Sequence, residues 1–241
     1  MTLPTRPLPR NLPDPIGAVI FDFDETMIDL EEQHALADAA LCREMGDEYS
    51  EMPESFRFSS GRRIVDNIRE LRAFFGWRED EETLFRRRHR LFEQALAEGK
   101  LELMPHVETV VRELHRGGLR LAITSSAVRA GIETVLRRFD LLESFELIVD
   151  GSEVRYGKPD PQAYVVTAAR LDVDPATCVV FEDSGIGVAS AKGAGMICIA
   201  VRNPTARQRQ DLSEADLVLE SFAELDVEGM IARATSQRTG R

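Results

Sequence analysis

Asp22 and Asp24 lie one residue apart, directly after a short apolar run that ends at Phe21. A run of this length predicts a buried, parallel strand. The carboxyl end of such a strand lies at the edge of the sheet where open α/β folds bind ligands. Two carboxylates crowded together there need a cation, unless one of them holds a proton. The pair suits an aspartate nucleophile, an acid/base partner and a hard metal ion acting on phosphate. For this Asp-x-Asp pattern by itself, a strand that ends in a polar turn is the favoured alternative.

Three later segments favour the chemical interpretation. A second apolar run ends in Glu182 and Asp183, and a third ends in the hydroxyls of residues 124–126. Lys158 lies in a Gly-Lys-Pro-Asp-Pro turn just before a helical pattern. Only three of the 30 basic residues are lysines, so a compact ammonium group at this turn is informative. In chain order, the sequence therefore offers a nucleophile, a hydroxyl, a lysine and an acidic pair.

These four motifs resemble those of the haloacid dehalogenase superfamily of phosphohydrolases, and the resemblance covers about residues 16 to 222. Within the superfamily, the chain is similar to the branch that contains β-phosphoglucomutase and small sugar-phosphate phosphatases. The resemblance implies that Asp22 is the nucleophile that forms an aspartyl-phosphate and that Asp24 is the general acid and base. It also implies that Ser125 and Lys158 bind the transferring phosphoryl group.

The resemblance further implies a Mg²⁺ site. Asp22, the main-chain carbonyl of Asp24, and Asp183 would bind the ion directly, while Glu182 would bind it through water or orient the other ligands. The chain has four histidines, and none shows zinc-ligand spacing with cysteine. The family has glycine where this chain has Glu25, and we expect this extra carboxylate to point outward into solvent.

The residues that would select the substrate lie beside the second motif and in the segment after the first strand. The resemblance suggests Ser126, Arg129, His34, Gly61, Arg62 and Arg63. Other interpretations stay open, because the hydroxyls could only cap the next helix and the histidine and arginines could be solvated. Which hydroxyl of residues 124–126 binds the phosphoryl group also stays open. We interpret the basic run of residues 86–90 as a solvated helix face that pairs with nearby acids.

The elements that must position these side chains form an α/β pattern. Residues 30–102 show helical periodicity without a convincing strand, whereas strands and helices alternate over residues 103–234. This predicts a Rossmann-like parallel sheet core formed by residues 16–29 and 103–234, with an all-helical cap domain, residues 30–102, inserted after the first strand. The last helix is predicted at residues 222–232. The first fifteen residues hold five prolines and are predicted to form a flexible tail, not a signal peptide.

Composition limits the possible partners. No run approaches the roughly 18 apolar residues of a membrane span, and a net charge of −12 argues against nucleic acid and anionic membranes. Three widely spaced cysteines lie in apolar patterns, which favours reduced thiols and a cytoplasmic location. We expect a monomer or weak homodimer whose partner is a small phosphorylated metabolite.

The leading functional prediction is a Mg²⁺-dependent phosphatase for a small sugar or polyol phosphate. The main alternative is a phosphosugar mutase of the β-phosphoglucomutase kind, which must hold a second phosphate group. The family mutase has a basic residue where this chain has Ser60, and a polar Ser-Lys-Asn stretch where this chain has Ala127, Val128 and Arg129. Both differences favour hydrolysis. A non-catalytic protein of the same fold is a third alternative, which only Glu25 supports.

Overall fold

The computed structural model describes residues 4–57, 61–206 and 210–235. The strands in these ranges are β1 (Ala18–Phe21), β2 (Leu121–Thr124), β3 (Leu147–Val149), β4 (Cys178–Glu182), β5 (Ile197–Val201) and β6 (Leu217–Leu219). The α-helices are α1 (Glu31–Met45), α2 (Glu54–Arg57), α3 (Ile64–Phe75), α4 (Glu81–Glu98), α5 (Val107–Arg116), α6 (Arg129–Arg138), α7 (Gln162–Leu171), α8 (Gly185–Gly193) and α9 (Val227–Thr235).

The strands form one parallel sheet in the order β3-β2-β1-β4-β5-β6. Strand β1 lies between β2 and β4, where Phe21 pairs with Ile123 on one side and with Phe181 on the other. Strands β1, β2, β4 and β5 are buried along their whole length, as expected when both faces of a parallel sheet are covered. The sequence prediction of a Rossmann-like parallel sheet is confirmed. This register brings the residues that follow β1, β2 and β4 to the same edge.

Each face of the sheet has its own apolar core, because successive side chains of a strand point to opposite faces. Val19 and Phe21 pack in one core, which includes Val111 of α5. Ile20 packs in the other core with Tyr164 of α7. The helices therefore pack against β1 from both faces of the sheet and fix the position of the residues that follow it.

Helices α1 to α4, here called the helical insert, lie between β1 and β2 in the chain. The insert has a separate apolar cluster that includes Leu41, Ile68 and Trp77. Its two connections to the sheet run side by side, since the Met104 N–H donates to the Met27 carbonyl at 2.8 Å. None of the helices in the described ranges combines the length and the apolar character that a membrane crossing requires.

The two ends of the described chain differ from the sequence expectations. In place of one helix over residues 222–232, a short 3₁₀ turn at Phe222–Glu224 precedes α9. Helix α9 begins after this turn, at Val227. The Asp226 carboxylate caps it by accepting from the Gly229 N–H at 2.9 Å. The N-terminal segment was expected to be a flexible tail. Instead, Leu12 is buried in the core, and the Arg6 N–H donates to the carbonyl of Glu224.

Candidate active site

Three buried carboxylates meet at the carboxyl edge of the sheet. Asp22 directly follows β1, Glu182 ends β4, and Asp183 directly follows it. Each residue offers an oxygen atom, and these oxygens lie within 4.8 Å of one another, which makes the group a candidate metal site among the described residues. The adjacent positions of β1 and β4 in the sheet produce this convergence. We call these residues the carboxylate cluster.

Lys158 lies against the carboxylate cluster. Its Nζ donates to Asp22 Oδ1 at 2.5 Å and also to the Glu182 carboxylate. The Tyr164 hydroxyl donates to the same Glu182 carboxylate at 2.7 Å. A Cβ atom at Gly187 would lie 2.0 Å from the Glu182 carboxyl group, so only glycine lets α8 approach this closely. Glu182 is therefore held from several sides and positions the lysine beside the predicted nucleophile.

The carboxylate cluster has more negative charge than Lys158 can balance. Burial raises the pKa of Asp22 to about 7 although Lys158 opposes the shift. Burial, together with Glu182 and Asp22, holds the pKa of Asp183 well above its ordinary value. Burial lowers the pKa of the Lys158 ammonium, but the charges of Asp22 and Glu182 outweigh it and raise that pKa above its ordinary value. When all three carboxyl groups are ionised, they and the ammonium leave two negative charges, and hard oxygen ligands with this charge suit a divalent cation such as Mg²⁺.

Asp24 faces the helical insert through His34. The His34 Nε2 lies 3.2 Å from Asp24 Oδ2, and a guanidinium nitrogen of Arg88 lies 2.9 Å from His34 Nδ1. Because arginine can only donate, Nδ1 must accept, and the imidazole proton of a neutral His34 is then on Nε2, facing Asp24. The Phe92 ring stacks on the imidazole with a centroid distance of 4.4 Å. The other oxygen of Asp24, Oδ1, is buried and has no hydrogen-bond partner among the described residues.

Arg88 corrects the interpretation of residues 86–90 as a solvated face. Its side chain is 2% exposed and its Nε donates to Asp38 Oδ1 at 2.8 Å. The buried residues of α4 recur at four-residue spacing, and Arg88 occupies one of these positions between Leu84 and Phe92. The sequence contained this signal, because an arginine on the apolar face of an amphipathic helix needs a buried partner.

The structure separates the three hydroxyls that follow β2. The Thr124 hydroxyl is buried and pairs with the hydroxyl of Thr167 on α7, at 2.6 Å. Ser125 is buried at the edge of the sheet, and its Oγ accepts from the N–H of Ala127. The Ser126 hydroxyl donates to the Gly61 carbonyl at 2.7 Å, so it connects the sheet to the helical insert. In contrast to the other two hydroxyls, that of Ser125 makes no hydrogen bond to α7 or to the helical insert among the described residues.

Gly61 brings the insert onto the edge of the sheet. A Cβ atom at this residue would lie 3.2 Å from the Ser184 hydroxyl, next to the carboxylate cluster, and the residue has φ of 79°. Both the space and the backbone conformation favour glycine. Of the predicted substrate-binding residues, the structure thus places Gly61 and Ser126 together near the cluster.

The three arginines predicted to bind substrate are held by protein groups. Arg62 pairs with Glu70. Arg63 pairs with Asp66 and also donates to the carbonyls of Val154 and Arg155. Arg129 pairs with Glu153 and donates to the carbonyl of Ile148. None of these hydrogen bonds reaches the carboxylate cluster, so their role in substrate binding stays a prediction.

Glu25 is buried, contrary to the expectation that its carboxylate points into solvent. It is 7% exposed, and the Asn203 side-chain amide donates to its carboxyl group. Its φ of 65° is the left-handed conformation that favours glycine. Burial, with the nearby Asp29 and Asp24, raises its pKa to about 9. The sequence could not show this, because the loop that covers Glu25 comes from the other end of the chain.

Comparisons with known proteins agree with the fold and with the predicted family. Residues 16–195 match the sequence profile of haloacid dehalogenase-like hydrolases. Hexitol phosphatase B of Escherichia coli (strain K12) is 32% identical over 224 residues, which cover 91% of this chain and 98% of that protein. Beta-phosphoglucomutase of Bacillus subtilis (strain 168) is 29% identical over 219 residues, covering 88% and 92%. The crystal structure of CbbY from Rhodobacter sphaeroides in complex with phosphate has a TM-score of 0.78 at 29% identity, covering 88% of this chain and 96% of CbbY.

Proposed function

Because the chain belongs to the haloacid dehalogenase-like hydrolase family, we propose that it is a phosphatase that hydrolyses a small sugar or polyol phosphate through Asp22. The observation that carries the proposal is the contact of Lys158 with Asp22 inside a buried carboxylate cluster. A carboxylate that is paired with an ammonium and lies next to further acids suits attack on an anionic phosphorus centre. The similarity to a hexitol phosphatase supports the substrate class.

We further propose that the cluster holds Mg²⁺. Asp22 and Asp183 would bind the ion together with the main-chain carbonyl of Asp24, and Glu182 would bind through water or orient the ligands. The raised pKa values of Asp22 and Asp183 support this assignment, because they indicate that the ionised cluster, with its two excess negative charges, needs a further cation. When bound, the ion would neutralise the charge of the phosphoryl group beside that of the carboxylates.

The residues of the chain account for both halves of the reaction. An oxygen of Asp22 forms a bond to phosphorus while the ester bond breaks, which gives an aspartyl-phosphate and a free alcohol. Asp24 gives a proton to the departing alcohol oxygen, then takes a proton from the water that cleaves the aspartyl-phosphate. Lys158 and Ser125 hold the phosphoryl oxygens, and His34 orients Asp24.

We propose that residues 30–102 act as a cap over this site. Two contacts in the structure support closure, namely the hydrogen bond from Ser126 to Gly61 and the bonds from Arg63 to the loop after β3. A closed cap would exclude bulk water during phosphoryl transfer.

A phosphosugar mutase is the second candidate, and the similarity to beta-phosphoglucomutase favours it. The mutase shares the carboxylate chemistry but must also hold a second phosphate group. The side chains of Ala127 and Val128 carry no positive charge that could bind this second phosphate. Ser60, the other position that favours hydrolysis, lies outside the described residues.

Release of inorganic phosphate tests the proposed function. We expect hydrolysis of hexitol and hexose monophosphates with Mg²⁺, and its loss in excess chelator. Asp22→Asn should lose turnover with an unchanged circular dichroism spectrum, because an amide is a poor nucleophile. Asp140→Asn is the matched control, since Asp140 is exposed and asparagine tolerates its φ of 54°.

Full activity in chelator would refute the metal assignment. Glucose 1-phosphate converted to glucose 6-phosphate without phosphate release would favour the mutase.

A further inference from the structure

A cavity of about 280 Å³ lies between the helical insert and the loops that follow β2 and β3. Its apolar lining comes from Ile64, Val65, Phe85, Ala127, Val128 and Val154. Ser126 also lines the cavity, and its neighbour Ser125 is the proposed phosphoryl-binding hydroxyl. At about 30 Å³ per water molecule it has room for about nine waters, or for an organic group of similar size. We call it the seam pocket.

The charges around the seam pocket are unfavourable for a second phosphate. Among the described residues that line the pocket, Arg63 is the only ionisable one, and its guanidinium already makes four hydrogen bonds, two of them to the Asp66 carboxylate. The Asp150 carboxylate accepts from Ser152, which also lines the pocket. The lining thus carries one cation, already paired with Asp66, and a second carboxylate, that of Asp150, is bonded to a lining residue, so a dianion would find no unpaired positive charge among the described lining residues.

We propose that the seam pocket binds the organic part of the substrate, and that this part is an uncharged alcohol with a carbon-rich end. The inference rests on the proposed phosphatase function. The phosphoryl group at Ser125 would leave the rest of a phosphomonoester next to Ser126, which lines the pocket. The hydroxyls of Ser126 and Ser152 can contact a substrate hydroxyl, while the apolar lining residues contact carbon. Monophosphates of cyclic or deoxygenated alcohols fit this description, and bisphosphates do not.

The first test is the dependence of kcat/KM on the alcohol. Methyl, butyl and cyclohexylmethyl phosphate lengthen the apolar part, and butane-1,4-diol bisphosphate adds a charged end to the butyl chain. Each methylene that enters the pocket should raise kcat/KM about four-fold, from the transfer free energy of a buried methylene. The bisphosphate should be a poorer substrate than butyl phosphate. A wild-type preference for the bisphosphate would overturn the inference.

A charge-introducing variant then tests the location. Val128→Lys places an ammonium in the pocket, so the ratio of kcat/KM for butyl phosphate to that for the bisphosphate should fall by about ten-fold, the effect of one hydrogen bond to a charged group. Val165→Lys is the matched control, because Val165 is exposed on α7 and does not line the pocket. An unchanged ratio in Val128→Lys, with a native circular dichroism spectrum, would place the alcohol elsewhere.

Calorimetry with non-hydrolysable phosphonates separates this inference from the proposed function. Affinity should rise from methylphosphonate to 2-cyclohexylethylphosphonate, and the rise should be smaller in Val128→Lys. If affinity rises but no ester is hydrolysed in the presence of Mg²⁺, the pocket is as proposed and the phosphatase function is wrong. If esters are hydrolysed but neither rate nor affinity depends on the apolar part, the function stands and the pocket assignment fails.

Discussion

Replacing Arg88 with methionine tests whether a buried ion pair holds the helical insert together and orients His34. Arg88 joins α4 to α1 through Asp38, and both side chains are at most 6% exposed. Methionine keeps the length and apolar contacts of the side chain but leaves the Asp38 carboxylate buried without its partner. Breaking such a pair on one side costs about 3–5 kcal/mol of unfolding free energy, a large fraction of the stability of an ordinary domain.

Trp77 provides the assay for Arg88→Met. It is the only tryptophan of the chain and packs in the apolar cluster of the insert, so its fluorescence in urea reports unfolding of α1 to α4. Arg86→Met is the matched control, because Arg86 lies on the same helix and its ion pair with Glu82 is more than 70% exposed. Exposed pairs contribute only about 0–1 kcal/mol. The double variant Asp38→Leu/Arg88→Met should recover at least half of the loss, because neither charge is then left unpaired.

Two outcomes would refute the reasoning about Arg88. If Arg88→Met is destabilised no more than Arg86→Met, the buried pair does not hold the insert. If the turnover of an alkyl phosphate by Arg88→Met equals that of the wild type under folded conditions, the contact of Arg88 with His34 Nδ1 does not contribute to catalysis by Asp24. We expect instead that turnover falls, because the imidazole loses the partner that keeps its proton on Nε2.

Two further predictions concern the carboxyl groups after β1. Asp24→Asn should slow formation of the aspartyl-phosphate from alkyl phosphates by about 10²- to 10⁴-fold, and should slow its formation from acetyl phosphate far less, because acetate leaves without a proton. Equal losses in this first step, measured by single-turnover rapid quench, would rule out the general-acid role. For Glu25, the folded-state pKa of about 9 lies above the ordinary 4.5, so its contribution to stability is complete below about pH 4.5 and is lost as the pH rises to about 9. In urea titrations with chelator, the wild type should therefore lose stability relative to Glu25→Gln over this range, by at most about 1.4 kcal/mol per pH unit. Parallel pH profiles of the two proteins would contradict the burial of Glu25 as an acid.

The parts of this structure that depend on short sequence patterns could be predicted. The apolar runs before Asp22 and Glu182 predicted two buried strands, β1 and β4, and the helical periodicity of residues 30–102 predicted the helical insert. The order of the four motifs identified the family, which the comparison with known proteins confirmed.

The parts that depend on contacts between distant residues could not be predicted in this way. Tyr164 belongs to none of the four motifs, and only the fold brings its hydroxyl to Glu182. The burial of Glu25 depends on Asn203, 178 residues away. Arg88 lies between these cases, since the spacing of α4 marks it as buried but does not reveal His34 and Asp38 as its partners.

The central claim is that the phosphoryl group passes through Asp22, and trapping it tests this most directly. Asp24→Asn should form the aspartyl-phosphate from acetyl phosphate and Mg²⁺ but hydrolyse it slowly, since Asp24 activates the water. After acid quench and borohydride reduction, mass spectrometry of the peptides should locate the modification at Asp22. It should be absent from Asp22→Asn/Asp24→Asn treated in the same way. Modification of another residue, or phosphate release with no covalent intermediate, would contradict the account.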